Sequence, residues 1–542
     1  MKKFLNWKIL LIVVILIAAF LRLYQLGNVP YGTSDDETAY IYNSYSIFHT
    51  GKDILGKTLP LSFNAHSSES PIEVYIMAPF VGLMGLSLFS GRLPAALFGI
   101  GSVFLLFLIS DYLFKNKWVG IASAFLFAIS PWALQVGRGV WDVDFAPFFY
   151  LLGLYIFLKN IKSYKFIWSI IPFALGFYSY HGTKVFFVFL IPVLLFLFRK
   201  ELLKRKVPVL IFLSGVVLII ISFLFVIKFQ DVTRQGEVYL FSDPNATKTV
   251  DWERNTSTAP FFLRGILNNK PLYFLRRMRE NYLEAFSTNY LFLYGEIGLG
   301  SQIDNIYYRG ELYIIELPLF LIGLYQLIKR GSSLNRNLLI LMLLISPLPS
   351  TFTLDKNFVN RDYMMLPIIL IITALGLYYV IKKILKLRKV YKITFILLLF
   401  LLYSFLFSEY FYQYYYRWPV YGAEAWSASS RDLVSLVANN KNKYKNVYVG
   451  NSYRNFLIQY ATFEKVDPKL VQKIWNENPI KLGNITMLQT CLHDSYGKVE
   501  DFLPKSSLYI SSFSDCHYVS TPSGKIVDRG EPLHTIWNIY EN

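Results

Sequence analysis

Cysteine is nearly absent from this chain of 542 residues, and the short motifs of the commonest catalytic and metal sites are absent altogether. The two cysteines, Cys491 and Cys516, are too few for a disulfide scaffold or a cysteine-based metal site, although they can form one bridge if their region lies outside the cytoplasm. No phosphate-binding glycine-rich loop, zinc-binding helix motif or serine nucleophile elbow occurs. Nucleotide hydrolysis and acyl transfer are therefore without support.

Charged residues are also scarce, at 17% of the chain, whereas 54% of the residues are hydrophobic and 18% are aromatic. Soluble domains rarely carry so much apolar surface, so the composition predicts a polytopic α-helical membrane protein. The net charge of +18 would suggest nucleic-acid binding in a soluble chain. Here Lys and Arg lie between apolar runs, as in cytoplasmic loops, and we expect no nucleic-acid partner.

Apolar runs of about the length of a membrane span recur along the first 409 residues and predict about eleven helices. The first run lacks a clear cleavage site for a signal peptidase, and we interpret it as a retained helix. The predicted spans are 7–24, 93–114, 118–136, 145–158, 166–179, 183–198, 208–228, 311–328, 337–349, 363–381 and 393–409.

The distribution of basic residues predicts which loops face the cytoplasm. With Lys2 and Lys3 inside, every loop that the count of spans places in the cytoplasm is basic, as the positive-inside rule requires. The stretch from Pro71 is long enough to span, but counting it would put the basic loops outside. Glu73 and Pro79 within it favour an interfacial or re-entrant helix.

This topology predicts a transmembrane domain over residues 1–415 and a soluble domain over residues 416–542. Polar residues and short β-prone runs in the second part predict a small extracytoplasmic α/β domain. Five further segments are predicted on the outer face. They are the first loop, residues 25–92, which carries the interfacial helix, the large loop 229–310, and the shorter segments 137–144, 178–184 and 347–362.

Three consecutive carboxylates, Asp35, Asp36 and Glu37, follow the first span within the stretch "TSDDETAY". Such acids commonly stay solvated or pair with a neighbouring Lys. A carboxylate can also accept a proton from an incoming nucleophile, while Arg and Lys bind a departing phosphate. Further acids and cations are predicted on the same face, which favours group transfer from a lipid phosphate; they are Arg138, Asp142, Asp144, His181, Lys184, Arg234 and Arg361.

Several blocks between residues 20 and 435 resemble, in matching order, those of one family of enzymes. They include "SDDETAYIYNSYSIFHTGKDILGKTLPLSF", "AISPWALQVGRGVWDVDFAPFF", "FYSYHGTKVFFVFLIP", "NYLEAFSTNYLFLYGE" and "RDYMMLPIILIITALG". They resemble the GT-C superfamily of multispanning glycosyltransferases, on the branch of the protein O-mannosyltransferases and the aminoarabinose transferase of lipid A. The resemblance implies a polyprenyl-phosphate sugar donor, an extracytoplasmic active site and inversion at the anomeric carbon.

The resemblance assigns roles to the acids residue by residue. The Asp-Glu pair of the family's first loop falls on Asp36 and Glu37, which implies that Asp36 is the general base and Glu37 its supporting neighbour. A shift of register by one residue would give the role of Asp36 to Asp35. The second acidic position of the family falls on either Asp142 or Asp144, and both also fit a cap at the start of the next helix.

The cations are candidates for binding the donor phosphate. Arg361, Arg234 and Arg138 could bind it bidentately, or each could contact a lipid headgroup instead. Arg361 is the strongest of the three because its block resembles the family. Lys184 and His181 could equally be anchors at the membrane interface.

The chain departs from the family before the interfacial helix. Many relatives carry Lys-Pro-Pro there, whereas this chain has "ESP" at residues 69–71. Glu69 and His66 could hold a divalent cation, but two ligands alone make a hydrated loop the better interpretation, and no metal site is predicted.

The sequence therefore predicts a membrane glycosyltransferase that passes a sugar to a protein, lipid or glycan acceptor. One alternative is a transporter or flippase of lipid-linked saccharides, which predicts charges deep in the spans, broken helices and inverted repeats. Another is a non-catalytic scaffold whose C-terminal domain binds partners.

Overall fold

A computed structural model describes residues 6–64, 70–141, 143–229, 239–296, 306, 309–354, 358–493 and 496–542. The chain forms two compact units, each built from several segments. The helical unit comprises Met1–Arg22, Leu97–Gly137 and Asp142–Ser408, and the mixed unit comprises Leu23–Ala96, Arg138–Trp141 and Glu409–Asn542. The division into a transmembrane domain of residues 1–415 and a soluble domain of residues 416–542 stays a prediction.

Each predicted apolar segment overlaps at least one helix. Two of the segments contain a break, as in 118–136, where Ser130 and Pro131 end one helix and begin the next. The helices along these segments are Trp7–Leu23, Leu88–Phe114, Lys117–Ile129, Pro131–Val136, Ala146–Asn160, Tyr164–Ser169 (3₁₀), Ile170–Ser179, His181–Leu197, Lys206–Phe229, Glu316–Arg330, Ser333–Ile345, Leu348–Thr351, Met365–Ile384 and Lys389–Tyr412.

Four helical stretches within the described residues are long and apolar enough to cross a membrane. They are Leu88–Phe114, Lys206–Lys228, Met365–Ile384 and Lys389–Tyr421. Shorter apolar helices, such as Lys117–Ile129 and His181–Leu197, accompany them. The fold is therefore mostly helical and apolar, as expected, while the count of eleven spans and the side of each loop stay predictions.

The remaining helices are shorter or more polar and belong to the loops and the C-terminal region. The stretch from Pro71 forms a helix of its own, Pro71–Met84, with Pro79 inside it and Glu73 fully buried. The others are Asp35–Thr50, Arg199–Leu202, Leu240–Ser242 (3₁₀), Ala246–Asn255, Phe261–Leu267, Lys270–Glu284, Asn289–Leu293 (π), Phe358–Arg361, Gln413–Arg417 (π), Trp418–Tyr421, Glu424–Trp426 (3₁₀), Ala428–Asn440, Tyr453–Phe463, Pro468–Ile474 and Val499–Phe502.

A six-stranded mixed sheet forms the core of the C-terminal region, in agreement with the predicted α/β character. Its strand order is β2-β3-β1-β4-β6-β5, and β1 pairs in parallel with both β3 and β4. The disulfide Cys491–Cys516 connects the loop after β3 to the loop after β4. The strands are β1 Asn446–Gly450, β2 Ile480–Leu482, β3 Ile485–Met487, β4 Ser507–Ser512, β5 Gly524–Val527 and β6 Thr535–Glu541.

Two glycines in the helical unit permit an unusually close approach of two helices. A Cβ added at Gly323 would lie 1.9 Å from the carbonyl oxygen of Ile372, and one added at Gly376 would lie 1.9 Å from that of Leu319. Small residues allow the backbones of apolar helices to pack in this way. The pairing of Glu316–Arg330 with Met365–Ile384 therefore depends on both glycines.

Replacing Gly323 with Ala should destabilise the protein by about 1–3 kcal/mol, because the new methyl group meets backbone atoms that cannot move aside. Thermal unfolding of the purified protein in detergent measures the effect. Gly265→Ala is the matched control, since nothing lies within 4 Å of its added Cβ. Equal unfolding temperatures for the two variants would contradict the close packing.

Candidate functional site

The three consecutive carboxylates lie at the start of the helix Asp35–Thr50 in the mixed unit. Ser34 is its N-cap, and its hydroxyl oxygen accepts a hydrogen bond of 3.0 Å from the backbone N–H of Glu37. Acidic side chains are favourable at a helix N-terminus, where unpaired N–H groups carry partial positive charge. The local sequence therefore fixes where the helix begins and in which direction each carboxylate leaves it.

Glu37 points into the protein and forms a bidentate ion pair with Arg92. Arg92 Nε donates to Glu37 Oε1 at 2.8 Å, and Arg92 Nη2 donates to Oε2 at 2.7 Å. Both side chains are fully buried. A carboxylate and a guanidinium tolerate such burial only when they are paired and hydrogen-bonded, so the position of each depends on the other.

Further hydrogen bonds saturate this ion pair. Arg92 donates to the backbone carbonyls of Leu26, Pro30 and Gly32 at 2.9–3.2 Å. Glu37 Oε1 accepts a third bond of 3.0 Å from the backbone N–H of Val140. The pair thus joins the chain before the acidic helix to the short segment Arg138–Trp141.

Arg138 is fully buried beside this segment. It donates to the backbone carbonyls of Tyr24 at 2.8 Å and Val29 at 3.3 Å, and to the Tyr414 hydroxyl at 3.3 Å. Its guanidinium also stacks near the ring of Tyr415 at 4.8 Å. These contacts shape the chain around the start of the acidic helix.

Asp36 and Asp35 differ from Glu37 because both are half-buried rather than enclosed. Asp35 accepts a hydrogen bond of 2.9 Å from Asn455 Nδ2 and one of 3.0 Å from Gln459 Nε2. The three adjacent acids therefore do not share one environment: arginine holds the buried Glu37, amides hold Asp35, and Asp36 is half-buried.

The helical unit contains the other predicted residues that the structure describes. Asp144 is buried, at 5% exposure. The Tyr363 phenol lies within electrostatic range of both Asp144 and Arg22. Arg22 is also fully buried and donates to backbone carbonyls near residue 128. Asp142 and Arg234 lie outside the described residues.

Arg361 ends the short helix Phe358–Arg361 and is largely buried. Its Nη1 donates to the Thr353 hydroxyl at 2.8 Å. The adjacent Asp362 is fully buried and accepts a hydrogen bond of 2.7 Å from the Ser350 hydroxyl. Burial raises the pKa of Asp362 from its ordinary value of 3.8 to about 7, although Ser350 and Arg361 oppose the rise.

His181 and Lys184 lie one turn apart at the start of the helix His181–Leu197. Lys184 Nζ is 3.3 Å from His181 Nδ1, and the ammonium lies 5.2 Å from the ring centre of Phe223. The structure thus brings these two predicted residues together within the helical unit.

The weaker suggestion of a cation at His66 and Glu69 falls outside the described residues. Among the residues that the structure does describe, no group of three or more His, Cys, Asp or Glu side chains is arranged to hold a metal ion.

Two important residues were missed by the sequence analysis. Arg92 lies near the start of the apolar helix Leu88–Phe114, where a lone cation looks like an interface anchor, and nothing in the local sequence identifies Glu37 as its partner. Asp362 is adjacent to a predicted phosphate ligand, and that proximity was the signal that could have drawn attention to it. Its hydrogen-bond partner, Ser350, comes from another turn of the chain.

Comparisons with known proteins find a matching family model and similar proteins. Residues 68–226 match the family model described as dolichyl-phosphate-mannose-protein mannosyltransferase. Two Bacillus subtilis proteins named as candidate mannosyltransferases, YycA and YkcB, are each 29% identical over 170 residues. That match covers 30% of this chain and 23% or 22% of the relative, so this chain spans less than a quarter of their length.

A solved structure is similar over nearly its whole length. The crystal structure of ArnT from Cupriavidus metallidurans bound to undecaprenyl phosphate matches with a TM-score of 0.51 and 11% identity, covering 98% of each chain. The apo structure of the same protein matches with a TM-score of 0.50. Because only 11% of the aligned residues are identical, the match shows a similar fold and nothing about activity.

Replacing Glu37 with Gln should lower the free energy of unfolding by about 3–5 kcal/mol, because Arg92 would then be a buried charge without a counter-charge. Glu464→Gln is the matched control, since Glu464 pairs with Lys441 where each side chain is about one third exposed. That change should cost less than about 1 kcal/mol. Chemical unfolding in detergent compares the two, and similar losses would contradict the importance of the buried pair.

The stability of the protein should fall as the pH rises from about 4 to about 7. Over that interval the unfolded chain ionises Asp362 while the folded chain keeps it protonated, so ionisation favours unfolding. Asp362→Asn should reduce this decline, and Ser350→Ala should extend it to higher pH because a hydrogen bond to the carboxylate is lost. Unfolding temperatures measured across this range test the prediction, which fails if Asp362→Asn keeps the wild-type profile.

Proposed function

We propose that this chain, a member of the GT-C superfamily of membrane glycosyltransferases by its fold and by the family match over residues 68–226, transfers a sugar from a polyprenyl-phosphate donor to an acceptor on the extracytoplasmic side. The acceptor is a protein, a lipid or a glycan. The binding of undecaprenyl phosphate by the structurally similar ArnT supports a lipid-phosphate donor.

The observation that carries the proposal is the separation of neighbouring acids at the start of the helix Asp35–Thr50. Glu37 is fixed by Arg92, while Asp36 is half-buried and thus accessible to a reactant. A general base must reach the proton that it abstracts, and a rigidly held neighbouring residue keeps the base correctly oriented. We assign Asp36 as the base and Glu37 as the residue that positions it.

In the proposed reaction Asp36 accepts the proton of the acceptor nucleophile. The nucleophile attacks the anomeric carbon from the face opposite the lipid phosphate and forms the new glycosidic bond. The bond between the anomeric carbon and the phosphate oxygen breaks, and its electron pair leaves with the polyprenyl phosphate. This single displacement inverts the anomeric configuration and needs no covalent enzyme intermediate. Asp142 or Asp144 is a second acidic residue of the reaction.

Cations assist the departure of the phosphate. Arg361 is our first choice because a planar guanidinium binds phosphate bidentately, and Thr353 orients it. Arg234, Lys184 and His181 are further candidates. The carbonyl and tyrosine contacts of Arg138 favour a positioning role over the phosphate contact predicted from its sequence.

We further propose that the site and the C-terminal region lie outside the cytoplasm. The basic composition of the opposite loops supports this orientation. The disulfide Cys491–Cys516 supports it too, because such bonds persist in oxidising compartments.

Replacing Asp36 with Asn should reduce sugar transfer by about 10²–10⁴-fold, since the amide cannot accept the proton. Purified protein is supplied with radiolabelled polyprenyl-phosphate hexose and a membrane extract as mixed acceptor, and labelled product is counted. Asp501→Asn, an exposed change on the helix Val499–Phe502, is the matched control and should transfer at the wild-type rate.

Equal transfer by the Asp36→Asn and wild-type proteins would remove Asp36 as the base and direct attention to Asp35, Asp142 and Asp144. Unfolding temperatures of both variants must match the wild type, so that loss of activity reports chemistry rather than folding.

A further inference from the structure

A polar cavity of about 400 Å³ lies within the mixed unit, apart from the carboxylate of Glu37 and its arginine. It opens where β1 and β3 end, the edge of a parallel sheet at which α/β folds commonly bind ligands. Its volume falls within the ~300–1,000 Å³ of small-molecule sites. The residues that define its chemistry are Asp35, Asn451, Arg454, Gln459, Gln489 and Trp537.

Asp35 supplies one wall of the cavity and is held in place by two amides. Asn455 Nδ2 and Gln459 Nε2 donate to its two carboxylate oxygens at 2.9 and 3.0 Å. Each carboxylate oxygen can accept more than one hydrogen bond. Asp35 is therefore a rigid acceptor for a hydroxyl group inside the cavity.

Three residues that line the same cavity each carry a buried polar atom with unused hydrogen-bonding capacity. Gln459 is 3% exposed and Trp537 is 8% exposed, yet Gln459 Oε1 and Trp537 Nε1 have no hydrogen-bond partner among the described residues. Arg454 Nε is likewise buried without a partner in the described part of the chain. Buried polar atoms are nearly always hydrogen-bonded, so three such atoms in residues around one cavity favour a polar occupant over an apolar one.

The mixture of donors and acceptors identifies the class of ligand. Trp537 and Arg454 donate, Asp35 and Gln459 Oε1 accept, and the side-chain amides of Asn451 and Gln489 do both. An anion would meet the negative charge of Asp35, and an apolar ligand would leave the polar atoms unpaired. Hydroxyl groups donate and accept at once, so they can pair with donors and acceptors alike.

We propose that this cavity binds a neutral saccharide through its hydroxyl groups and that the saccharide is part of the acceptor. The assignment to the acceptor rests on the proposed function, whereas the binding itself does not. Asp35 and Asp36 then serve different ends of the reaction, one holding the acceptor glycan and the other removing its proton.

Binding is tested on the full-length protein in detergent by isothermal titration calorimetry and saturation-transfer NMR. The probes are chitotriose, mannotriose and, as an anion, inorganic phosphate. At least one trisaccharide should bind to the wild type, and Trp537→Phe should weaken it about fivefold, because the ring remains but one donor is lost. Trp118→Phe, an exposed tryptophan of the helical unit, should leave binding unchanged.

Gln489→Ala provides a second variant, at an exposed position on the rim, if Trp537→Phe unfolds. Absence of trisaccharide binding, binding of phosphate instead, or equal affinities for the wild type and both cavity variants would overturn the proposal. Asp36→Asn separates the two proposals, since it should bind trisaccharide like the wild type even though transfer is lost. Trisaccharide binding by a wild type that transfers no sugar would contradict the proposed function and leave the saccharide site standing.

Discussion

The buried ion pair between Glu37 and Arg92 is the constraint on which the candidate site depends. Two fully buried charges are stable only while they are paired with each other. Here both hydrogen bonds of the pair are short, and every remaining N–H donor of Arg92 binds a backbone carbonyl. The pair fixes the rotation of the helix Asp35–Thr50 about its axis. Because successive residues leave a helix about 100° apart, fixing Glu37 also fixes where Asp36 and Asp35 point.

The same helix connects distant parts of the mixed unit. Asp35 is bound by amides from the helix Tyr453–Phe463, and Gln472 donates to the Ser46 and Thr50 hydroxyls further along it. Tyr31, just before the helix, lies 3.6 Å from the guanidinium of Arg529 near the end of the sheet region. The first loop and the C-terminal region, which are separated by some 400 residues of sequence, therefore pack together within the mixed unit.

Much of the helical architecture could be predicted from sequence, because apolar runs of spanning length and the punctuation around them are local signals. The helix Pro71–Met84 and the C-terminal strands were predicted for the same reason.

Tertiary contacts were not predictable in this way. Nothing near Arg92 in the sequence distinguishes a buried counter-ion from an interface anchor, and the hydrogen-bond partner of Asp362 is Ser350 in another turn. The break at Ser130 and Pro131 was not predicted, because the hydropathy around it is uninterrupted. In the candidate site, the three consecutive acids were predicted from the sequence. The different contacts of Glu37 and Asp35 follow only from tertiary packing.

The most direct test of the account is to follow both halves of the donor at once. Wild-type protein in liposomes receives polyprenyl-phosphate hexose labelled differently in its sugar and in its phosphate, together with a membrane-extract acceptor, and the anomeric configuration of the product is determined. We predict that the two labels separate, with one polyprenyl phosphate released for each sugar transferred and with inverted configuration. Passage of the intact donor from one leaflet to the other, with both labels still joined, would contradict the account and identify a flippase.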